Sequence, residues 1–284
     1  MHTSITISGL GRLFGGDLGA VVDAFAAAEA AGVDQVVLAD HVAIGARTDR
    51  YPFGRFPYGP EEPWPEPLTV LAAAAGVTGR VRLGTGILVA PLRPPLLLAK
   101  TAATLDALSG GRLDLGLGLG WQPEEFAGAA NGFSLRSRVL DDTVGACKAL
   151  WSAAPASFAS ETVTFDDLWC LPAPVQPDGP PLWFAGPAAG RNLARIVEND
   201  AGWLPIAGTP LTEIEDGVQA LTAAGAPLPL RVRASPPDDH PETLQAWARA
   251  GVTHASFAIS RHVDSPAAIE TCCARLVDAV RSAA

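Results

Sequence analysis

The sequence predicts an α/β protein of the (β/α)8 TIM barrel class with insertions, formed by a single domain over residues 1–284. Short apolar segments with strand patterns alternate with helical segments along the whole chain, and eight such pairs can be counted. This alternation favours a parallel sheet, and eight units favour its closure into a barrel. The length of 284 residues is usual for such a barrel, and 48% hydrophobic residues can fill a large core. An open doubly wound sheet is the alternative.

The first half of the chain contains four of these units. Asp17 is a favourable N-cap for the first helix, and Gly32 ends that helix. Two prolines, Pro94 and Pro95, open the third helix, and Gly110 closes it. The predicted strands are Ile5–Ser8, Val33–Ala39, Val81–Val89 and Gly111–Trp121, and the helices that follow them extend from Asp17 to Gly32, Leu68 to Thr78, Pro94 to Gly110 and Phe133 to Trp151.

Two insertions interrupt the alternation. Residues 42–67 after the second strand form a long loop that combines many Pro and Gly with aromatic side chains. Such a loop in a compact barrel is usually functional or disordered, and its aromatic content argues against disorder. We expect it to cover a substrate; the alternative is that its aromatic side chains pack against the barrel rim. Residues 156–174 predict a hairpin-like insertion after the fourth helix, followed by a Pro-rich connection.

The other four units follow residue 180. Their strands are Pro181–Ala185, Gly202–Ile206, Leu228–Arg233 and Thr253–Ile259, and their helices extend through Val197 and over Pro210–Ala224, Pro241–Ala250 and Pro266–Ala283. Ligands of such barrels bind at the C-terminal ends of the strands. The segments expected there are Gly9, Asp40–His41, Thr85–Ile87, Gly118–Trp121, Gly186–Arg191, Trp203, Arg231 with Arg233, and Ser260–His262.

The fourth predicted strand has the sequence GRLDLGLGLGW. Leucine occupies every second position from 113 to 119, which is the period of a strand. Glycine inside a strand weakens it, so the three glycines that alternate with leucine, Gly116, Gly118 and Gly120, indicate close approach of a neighbouring backbone or a ligand. We expect Arg112 and Asp114 at the start of this strand to be structural, and Gly118–Trp121 at its end to face a ligand.

Composition and charge narrow the class of function. The net charge of -10 and the pI near 4.9 argue against binding to nucleic acid or to an anionic membrane surface. No apolar run approaches the roughly 20 residues of a membrane span, and residues 1–10 do not resemble a signal peptide, so we expect a cytoplasmic protein. The four cysteines show no metal-site spacing, so we expect reduced thiols and no metal.

A family resemblance extends over residues 33–151. It depends on Asp40–His41, on the run LGTGILVAPLRPPLLLAKTAATLDALSGGRLDLGLGLGWQPEEF, on RSRVLDD and on the ALW that ends the fourth helix. The segments PPLWFAGPAAGR and GWLP extend it through the sixth strand. On these motifs the chain resembles the luciferase-like monooxygenase superfamily, and most of all its branch that uses the deazaflavin coenzyme F-420.

The resemblance implies a barrel that binds a flavin or deazaflavin across the C-terminal ends of its strands. Several members have a non-prolyl cis peptide in a third-strand bulge, here Gly86–Ile87, that supports the middle ring of the cofactor; the alternative is an ordinary glycine bulge. The family binds the cofactor phosphate near residues 186–191, where a helix N-terminus favours anions; the alternative is a tight turn that needs small residues. The predicted cofactor-binding residues are Asp40, Thr85, Gly86, Ile87, Gly118, Gly186, Ala188, Ala189, Gly190 and Arg191.

His41 is the predicted catalytic residue, because a histidine at this place lies near the reactive ring face in deazaflavin enzymes of the family. It could exchange a proton while hydride moves; the alternative is a histidine merely hydrogen-bonded in the barrel mouth. Trp121 stands where some deazaflavin sugar dehydrogenases have a catalytic acid, which argues against sugar chemistry. Glu124 and Glu125 are interpreted as acids at a helix start. The predicted substrate-pocket residues are Tyr51, Phe53, Trp64 and Trp121.

The implied function is hydride transfer between coenzyme F-420 and a small organic substrate. The first alternative is an FMNH2-dependent monooxygenase of the same superfamily, with FMN as the cofactor. The second is a non-catalytic barrel that binds a flavin or another ligand. Family members are often dimers, so a homodimer is one expectation.

Overall fold

Parallel strands form the centre of the protein and helices lie outside them. The computed structural model describes residues 1–283, and no helix in this range has both the length and the hydropathy needed to cross a membrane. The strands are β1 (His2–Ile7), β2 (Gln35–Leu38), β3 (Arg82–Thr85), β4 (Leu88–Val89), β5 (Leu113–Gly118), β6 (Ala156–Ala159), β7 (Thr164–Leu168), β8 (Leu182–Ala185), β9 (Gly202–Leu204), β10 (Arg233–Ala234) and β11 (His254–Ala258). The helices are α1 (Leu10–Phe14), α2 (Leu18–Ala30), α3 (Pro67–Val77), α4 (Pro95–Ser109), α5 (Arg136–Ser152), α6 (Gly190–Glu198), α7 (Leu211–Ala223), α8 (Pro241–Arg249) and α9 (Ile269–Ser282).

The barrel strands follow the order β10-β11-β1-β2-β3-β5-β8-β9, and each neighbouring pair is parallel. β4 also pairs with β5, so β3 and β4 share one position in the ring. The ring approaches closure where a bridge joins Trp203 of β9 to Val232, and the Trp203 N–H donates to the Arg231 carbonyl at 2.8 Å. The predicted eight-stranded barrel is therefore confirmed.

Both predicted insertions are present. Residues 42–66, between β2 and α3, are irregular apart from a short 3-10 helix at Thr48–Arg50. After α5, β6 and β7 pair as an antiparallel hairpin that lies apart from the barrel sheet. These insertions place additional chain beside the barrel without changing its strand order.

Three element predictions need correction. The predicted third strand is broken between β3 and β4 at Gly86–Ile87. The predicted seventh strand, Leu228–Arg233, is wrong over most of its length, because only Arg233 and Ala234 form strand; Pro229 has no N–H to donate to a ladder. Helix α1, which follows Gly9, was not expected because its five residues are too few to show a helical period.

A buried polar network fills the amino-terminal end of the barrel, here called the barrel floor. Asp114 of β5 accepts hydrogen bonds from Nε and Nη2 of Arg82 at 2.8 and 2.7 Å, and from Nε2 of Gln35 at 2.7 Å. Arg233 donates to Oε1 of Gln35 at 2.9 Å and to the Thr85 carbonyl at 3.1 Å. Each charged group thus has hydrogen-bond partners within the barrel.

Two glycines of β5 leave room for the segment that joins β3 to β4. A Cβ on Gly116 would overlap the carbonyl of Thr85, and a Cβ on Gly118 would lie 2.6 Å from Cδ1 of Ile87. The connection from β3 to β4 therefore passes directly against β5. Of the two reasons expected for these glycines, close approach of a neighbouring segment explains both positions.

Candidate active site

His41 lies shortly after β2 at the carboxyl-terminal end of the barrel, here called the barrel mouth. Its Nδ1 is 3.0 Å from Oε1 of Glu125, and the side chains are 8% and 0% exposed. Oε1 also accepts a hydrogen bond from the Val42 N–H at 3.2 Å. The His41–Glu125 contact has ion-pair distance but not hydrogen-bond geometry, and Oε2 of Glu125 has no hydrogen-bond partner among residues 1–283. A buried acid and a buried imidazole therefore face each other with unused hydrogen-bonding capacity.

Aromatic side chains surround the His41 ring. Its centroid lies 4.8 Å from that of Trp64, 5.6 Å from that of Phe56 and 6.1 Å from that of Trp121, and all three pairs are edge-on. This enclosure limits contact between the imidazole and water. Nε1 of Trp64 is buried and, within the described chain, has no hydrogen-bond acceptor.

Two further predicted pocket residues lie outside this first ring of contacts. Tyr51 packs edge-on against Trp121 at 5.2 Å, and burial raises the pKa of Tyr51. Phe53 touches Tyr51 at 5.5 Å but is 47% exposed. The loop therefore brings Trp64 to His41 and leaves Phe53 at the rim, whereas Trp121 reaches His41 from the chain after β5.

Asp40 precedes His41 in the chain and has its carboxylate occupied by protein groups. Nη1 and Nη2 of Arg93 donate to it at 2.7 and 3.0 Å, and the Val89 N–H donates at 2.8 Å. Burial acts to lower the pKa of Arg93, but Asp40 and Glu66 together raise it above the ordinary value. These contacts connect the end of β2 to β4 and to the chain that follows it. Cofactor binding by Asp40 stays a prediction.

The predicted third-strand bulge lies between β2 and β5. The Gly86–Ile87 peptide bond is cis, as the resemblance implies. The Thr85 hydroxyl donates to the Gly116 carbonyl at 2.7 Å, and the Gly86 N–H donates to the Leu38 carbonyl at 2.8 Å. Both neighbouring strands therefore hold the bulge in place.

The predicted phosphate-binding turn connects β8 to α6. Gly186 and Gly190 have φ of 121° and 52°, in the region that favours glycine. No side chain among the described residues caps α6 at Ala189, and a Cβ on Gly190 would meet nothing within 4 Å. The Trp203 indole donates to the Gly186 carbonyl at 2.7 Å, which fixes the turn against β9. The first N–H groups of α6 thus have no side-chain acceptor.

Arg191 lies in the first turn of α6, and its charge is paired within the protein. Nε donates to Asp141 at 3.0 Å, and Nη1 donates to Glu198 at 2.9 Å. The side chain is 47% exposed. Two carboxylates therefore offset the guanidinium charge, while Ala188 packs against the core. The assignment of this turn to a phosphate stays a prediction.

Two cavities border the site. The larger, here called the mouth cavity, has a volume of about 1030 Å³ and lies over the ends of β1, β2, β10 and β11; Leu38, Trp64, Ser235 and Ser260 are among its walls. The smaller, here called the side cavity, has a volume of about 400 Å³ and opens between the starts of α3 and α4. His41 lines the side cavity, and Trp64 lines both. Neither cavity is lined by Gly86, Ile87 or residues 186–191.

Sequence reasoning missed two features of this site. Glu125 was interpreted as an acid at a helix start, yet it lies in a 3-10 turn and is buried against His41. Arg231 was expected at the mouth, but its side chain extends to the Asp200 carbonyl below β9. Only the nearness of Glu125 to Trp121 in the sequence could have indicated a place beside the pocket. Within residues 1–283, no group of three or more His, Cys, Asp or Glu side chains has the arrangement of a metal site.

Comparison with protein families gives a match over residues 3–264 to the family described as luciferase-like monooxygenase. An uncharacterised protein of Mycobacterium tuberculosis is 34% identical over 218 residues, which cover 74% of this chain and 76% of that protein. The oxygenase component of the flavin-dependent trigonelline monooxygenase of Acinetobacter baylyi is 36% identical over 123 residues, or 43% of this chain and 34% of that protein.

Comparison with solved structures gives likeness over the whole barrel. The monooxygenase RslO1 from Streptomyces bottropensis superposes with a TM-score of 0.69 at 22% identity, covering 100% of this chain and 87% of that one. An F-420-dependent secondary alcohol dehydrogenase in complex with an F-420–acetone adduct gives a TM-score of 0.63 at 22% identity, covering 99% and 84%. At this level of identity the likeness shows the fold alone.

Proposed function

The chain belongs to the luciferase-like monooxygenase family of flavin- or deazaflavin-dependent oxidoreductases, and on that premise we propose that it transfers a hydride between coenzyme F-420 and a small organic substrate. The observation that carries this proposal is the buried His41–Glu125 contact at the end of β2. We also predict that the substrate is a small molecule and that the protein binds neither nucleic acid nor a membrane. A homodimer and a cytoplasmic location likewise stay predictions.

The residues present are compatible with a flavin-type cofactor. The mouth cavity, at about 1030 Å³, has room for a three-ring system. The N-terminus of α6 offers N–H groups without a side-chain cap, and Gly190 leaves open space beside them. In this arrangement the mouth cavity would hold the ring, and the phosphate would have to extend beyond that cavity to residues 186–191, which do not line it. When bound, the cofactor would supply the hydride donor or acceptor.

His41 would move the proton that accompanies hydride transfer. Nδ1 faces Glu125, so the neutral tautomer with the proton on Nδ1 leaves Nε2 as the acceptor. In the oxidative direction, Nε2 would take the proton from a substrate hydroxyl while hydride leaves the adjacent carbon. Glu125 would offset the positive charge that then develops on the imidazole. The aromatic enclosure keeps water away from this exchange.

Trp64 lines both cavities, so a substrate in the side cavity would reach a ring in the mouth cavity only when this indole moves aside. The side cavity suits a small, largely apolar substrate that carries an oxygen. Its walls include His41 and several leucines, with Arg93 already engaged by Asp40 and Glu66. An anionic substrate would meet these two carboxylates. Small secondary alcohols and the matching ketones are therefore the compounds to test first.

An FMNH2-dependent monooxygenase is the second candidate. The named relative from Acinetobacter baylyi, a flavin-dependent monooxygenase component, favours it. The two candidates differ in cofactor, because a deazaflavin does not activate oxygen as a flavin does.

Separate titrations of the purified protein with coenzyme F-420 and with FMN distinguish the two candidates. We expect F-420 to bind with micromolar affinity and its absorbance to fall when a small secondary alcohol is oxidised. Micromolar binding of FMN without binding of F-420 would contradict the first proposal and favour the second. His41→Ala should abolish turnover and leave cofactor affinity unchanged; unchanged turnover would remove His41 from the mechanism.

A further inference from the structure

Gln122 lies between β5 and the 3-10 turn Pro123–Phe126, and it is 0% exposed. The geometry points to Gln122 as a positioning residue for the proton-exchanging pair. It fixes residues 122–125, here called the anchoring turn, against the start of the long loop, so that Glu125 stays beside Nδ1 of His41. This inference rests on the proposed function, because it concerns the proton that accompanies hydride transfer.

The amide of Gln122 binds both backbone groups of one loop residue. Its Oε1 accepts a hydrogen bond from the Gly45 N–H at 2.5 Å, and its Nε2 donates to the Gly45 carbonyl at 2.9 Å. A Cβ on Gly45 would lie 2.9 Å from Cβ of Glu124, so the loop backbone passes directly against the anchoring turn. Because a buried amide is costly to leave unpaired, these two bonds hold the loop and the turn in one relative position.

Two other contacts join the same segments. Nη1 of Arg50 pairs with Glu124 at 3.0 Å, but both side chains are exposed, and an exposed pair contributes little. The Val42 N–H donates at 3.2 Å to Oε1 of Glu125, the same oxygen that faces His41. Gln122 is therefore the buried link whose hydrogen bonds are made on both sides, and Glu125 is the end of the turn that reaches the imidazole.

His41 depends on Glu125 for the tautomer that the proposed reaction needs. The three aromatic rings around the imidazole carry no hydrogen-bond acceptor. Asp40 and Glu66, the acids that line the side cavity together with His41, are bonded to Arg93. Glu125 is thus the acid placed to hold the proton on Nδ1 and leave Nε2 as the acceptor. A displacement of about 1 Å at such a group can cost on the order of 100-fold in rate.

The test compares wild-type protein with Gln122→Leu, Gly45→Ala and Gln176→Leu. Gln122→Leu removes the amide from the turn, and Gly45→Ala pushes the loop away from the opposite side, so each variant checks the other. Gln176→Leu is the matched control. Nε2 of Gln176 donates to the Leu113 carbonyl at 2.8 Å, at the start of β5 and so at the floor end of the barrel.

The first readout is the nitrogen-15 NMR spectrum of the His41 imidazole, with His41→Ala identifying its signals. It is recorded on the full chain before any cofactor is added, at about pH 8, where an imidazole with the ordinary pKa of about 6.5 is neutral. We expect wild-type protein to carry the proton on Nδ1 in about tenfold excess over Nε2, because Glu125 accepts from Nδ1. Gln122→Leu and Gly45→Ala should both abolish most of this excess, and Gln176→Leu should keep it.

The second readout is the oxidation of a small secondary alcohol by the protein loaded with F-420. In Gln122→Leu and Gly45→Ala, kcat should fall about tenfold, because a displaced acid loses part of the roughly 100-fold or more that positioned acid–base groups supply. The KM for the alcohol and the Kd for F-420 should stay near the wild-type values. A merely structural role for Gln122 would instead lower the folded fraction and leave kcat per folded molecule unchanged.

The outcomes separate the two proposals. A wild-type ratio of His41 tautomers in both Gln122→Leu and Gly45→Ala overturns the positioning role, and so does an equal change in Gln176→Leu. Wild-type protein without an excess of the Nδ1 proton overturns it as well, even if the variants do not fold. Failure of wild-type protein to bind F-420 or FMN contradicts the proposed function itself. The tautomer ratio still decides the role of Gln122 in that case, because its measurement needs no cofactor.

Discussion

Asp114 at the floor and Glu125 at the mouth are both buried acids, but their surroundings differ. Asp114 accepts three hydrogen bonds, from Nε and Nη2 of Arg82 and from Nε2 of Gln35, at 2.7 to 2.8 Å. Glu125 accepts one backbone hydrogen bond, faces His41, and has one oxygen without a partner in the described chain. A carboxylate whose bonds are all made contributes to the stability of the barrel. One with an unused oxygen beside an imidazole is suited to exchanging charge with a ligand.

The largest expected effect is on the free energy of unfolding of Asp114→Asn. Removing this charge leaves Arg82 without its ion-pair partner. The Arg82 side chain is 36% exposed, so we expect a loss of about 3 kcal/mol, at the lower end of the range for a buried pair. Urea denaturation measures the loss. The matched control is Asp264→Asn, whose carboxylate pairs with Arg12 in full exposure and should change stability little. A loss for Asp114→Asn no larger than for the control would show that the floor pair is not structural.

Glu125→Gln should affect turnover rather than stability. The amide keeps the shape but cannot offset charge on His41, so we expect kcat to fall about 100-fold, or about 2.7 kcal/mol. Cofactor Kd and the unfolding midpoint should stay near the wild-type values. The assay is F-420-linked oxidation of a small secondary alcohol. A variant that unfolds as easily as Asp114→Asn, with kcat unchanged in its folded fraction, would remove the contrast between the two acids.

His254, near the barrel floor, should make the stability of the protein depend on pH. Burial, with the nearby charges of His2 and Arg233, lowers the pKa of His254 from 6.5 to about 3. Between these values the unfolded chain takes up a proton and the folded chain does not. The free energy of unfolding should therefore fall by about 1 kcal/mol per pH unit as the pH drops below 6.5. Denaturation between pH 7 and about pH 5 should show this slope in wild-type protein and a smaller one in His254→Phe; parallel slopes would contradict it.

The smallest expected effect is that of Arg191→Ala on cofactor affinity. Asp141 and Glu198 already offset the Arg191 charge, so we expect Kd for F-420 to rise only about threefold, or about 0.7 kcal/mol. Glu198→Gln is the informative partner, because it removes one of the two carboxylates that offset the Arg191 charge and should tighten binding. Isothermal titration measures both. If both Arg191→Ala and Glu198→Gln bind F-420 with the wild-type Kd, the cofactor phosphate does not bind near Arg191.

The sequence was sufficient for the fold because the barrel depends on local periodicity. The strand patterns of the eight units, and Gly32 and Gly110 at helix ends, are visible without any tertiary contact. The seventh strand was misplaced because it contributes only two residues, too few for a period. Helix α1 was not predicted because its five residues are also too few to show a period.

The site was predicted less completely, because its contacts join distant residues. Asp40 and His41 are neighbours in sequence, yet their partners, Arg93 and Glu125, are 53 and 84 positions away from them. Apart from its nearness to Trp121, nothing local to Glu125 distinguishes it from a surface acid at the start of a turn. The sequence predicts Arg233 at the mouth end of the seventh strand, which is wrong, because Arg233 begins β10 and its contacts with Gln35 and Thr85 depend on barrel closure.

Trp64 forms part of the wall of both cavities. A ligand that displaces this indole from one chamber changes the volume of the other, so occupants of the two chambers would be thermodynamically linked. By reciprocity, the factor by which the first occupant alters the affinity of the second equals the factor by which the second alters that of the first. A single side chain would then determine how independently the two chambers can be filled.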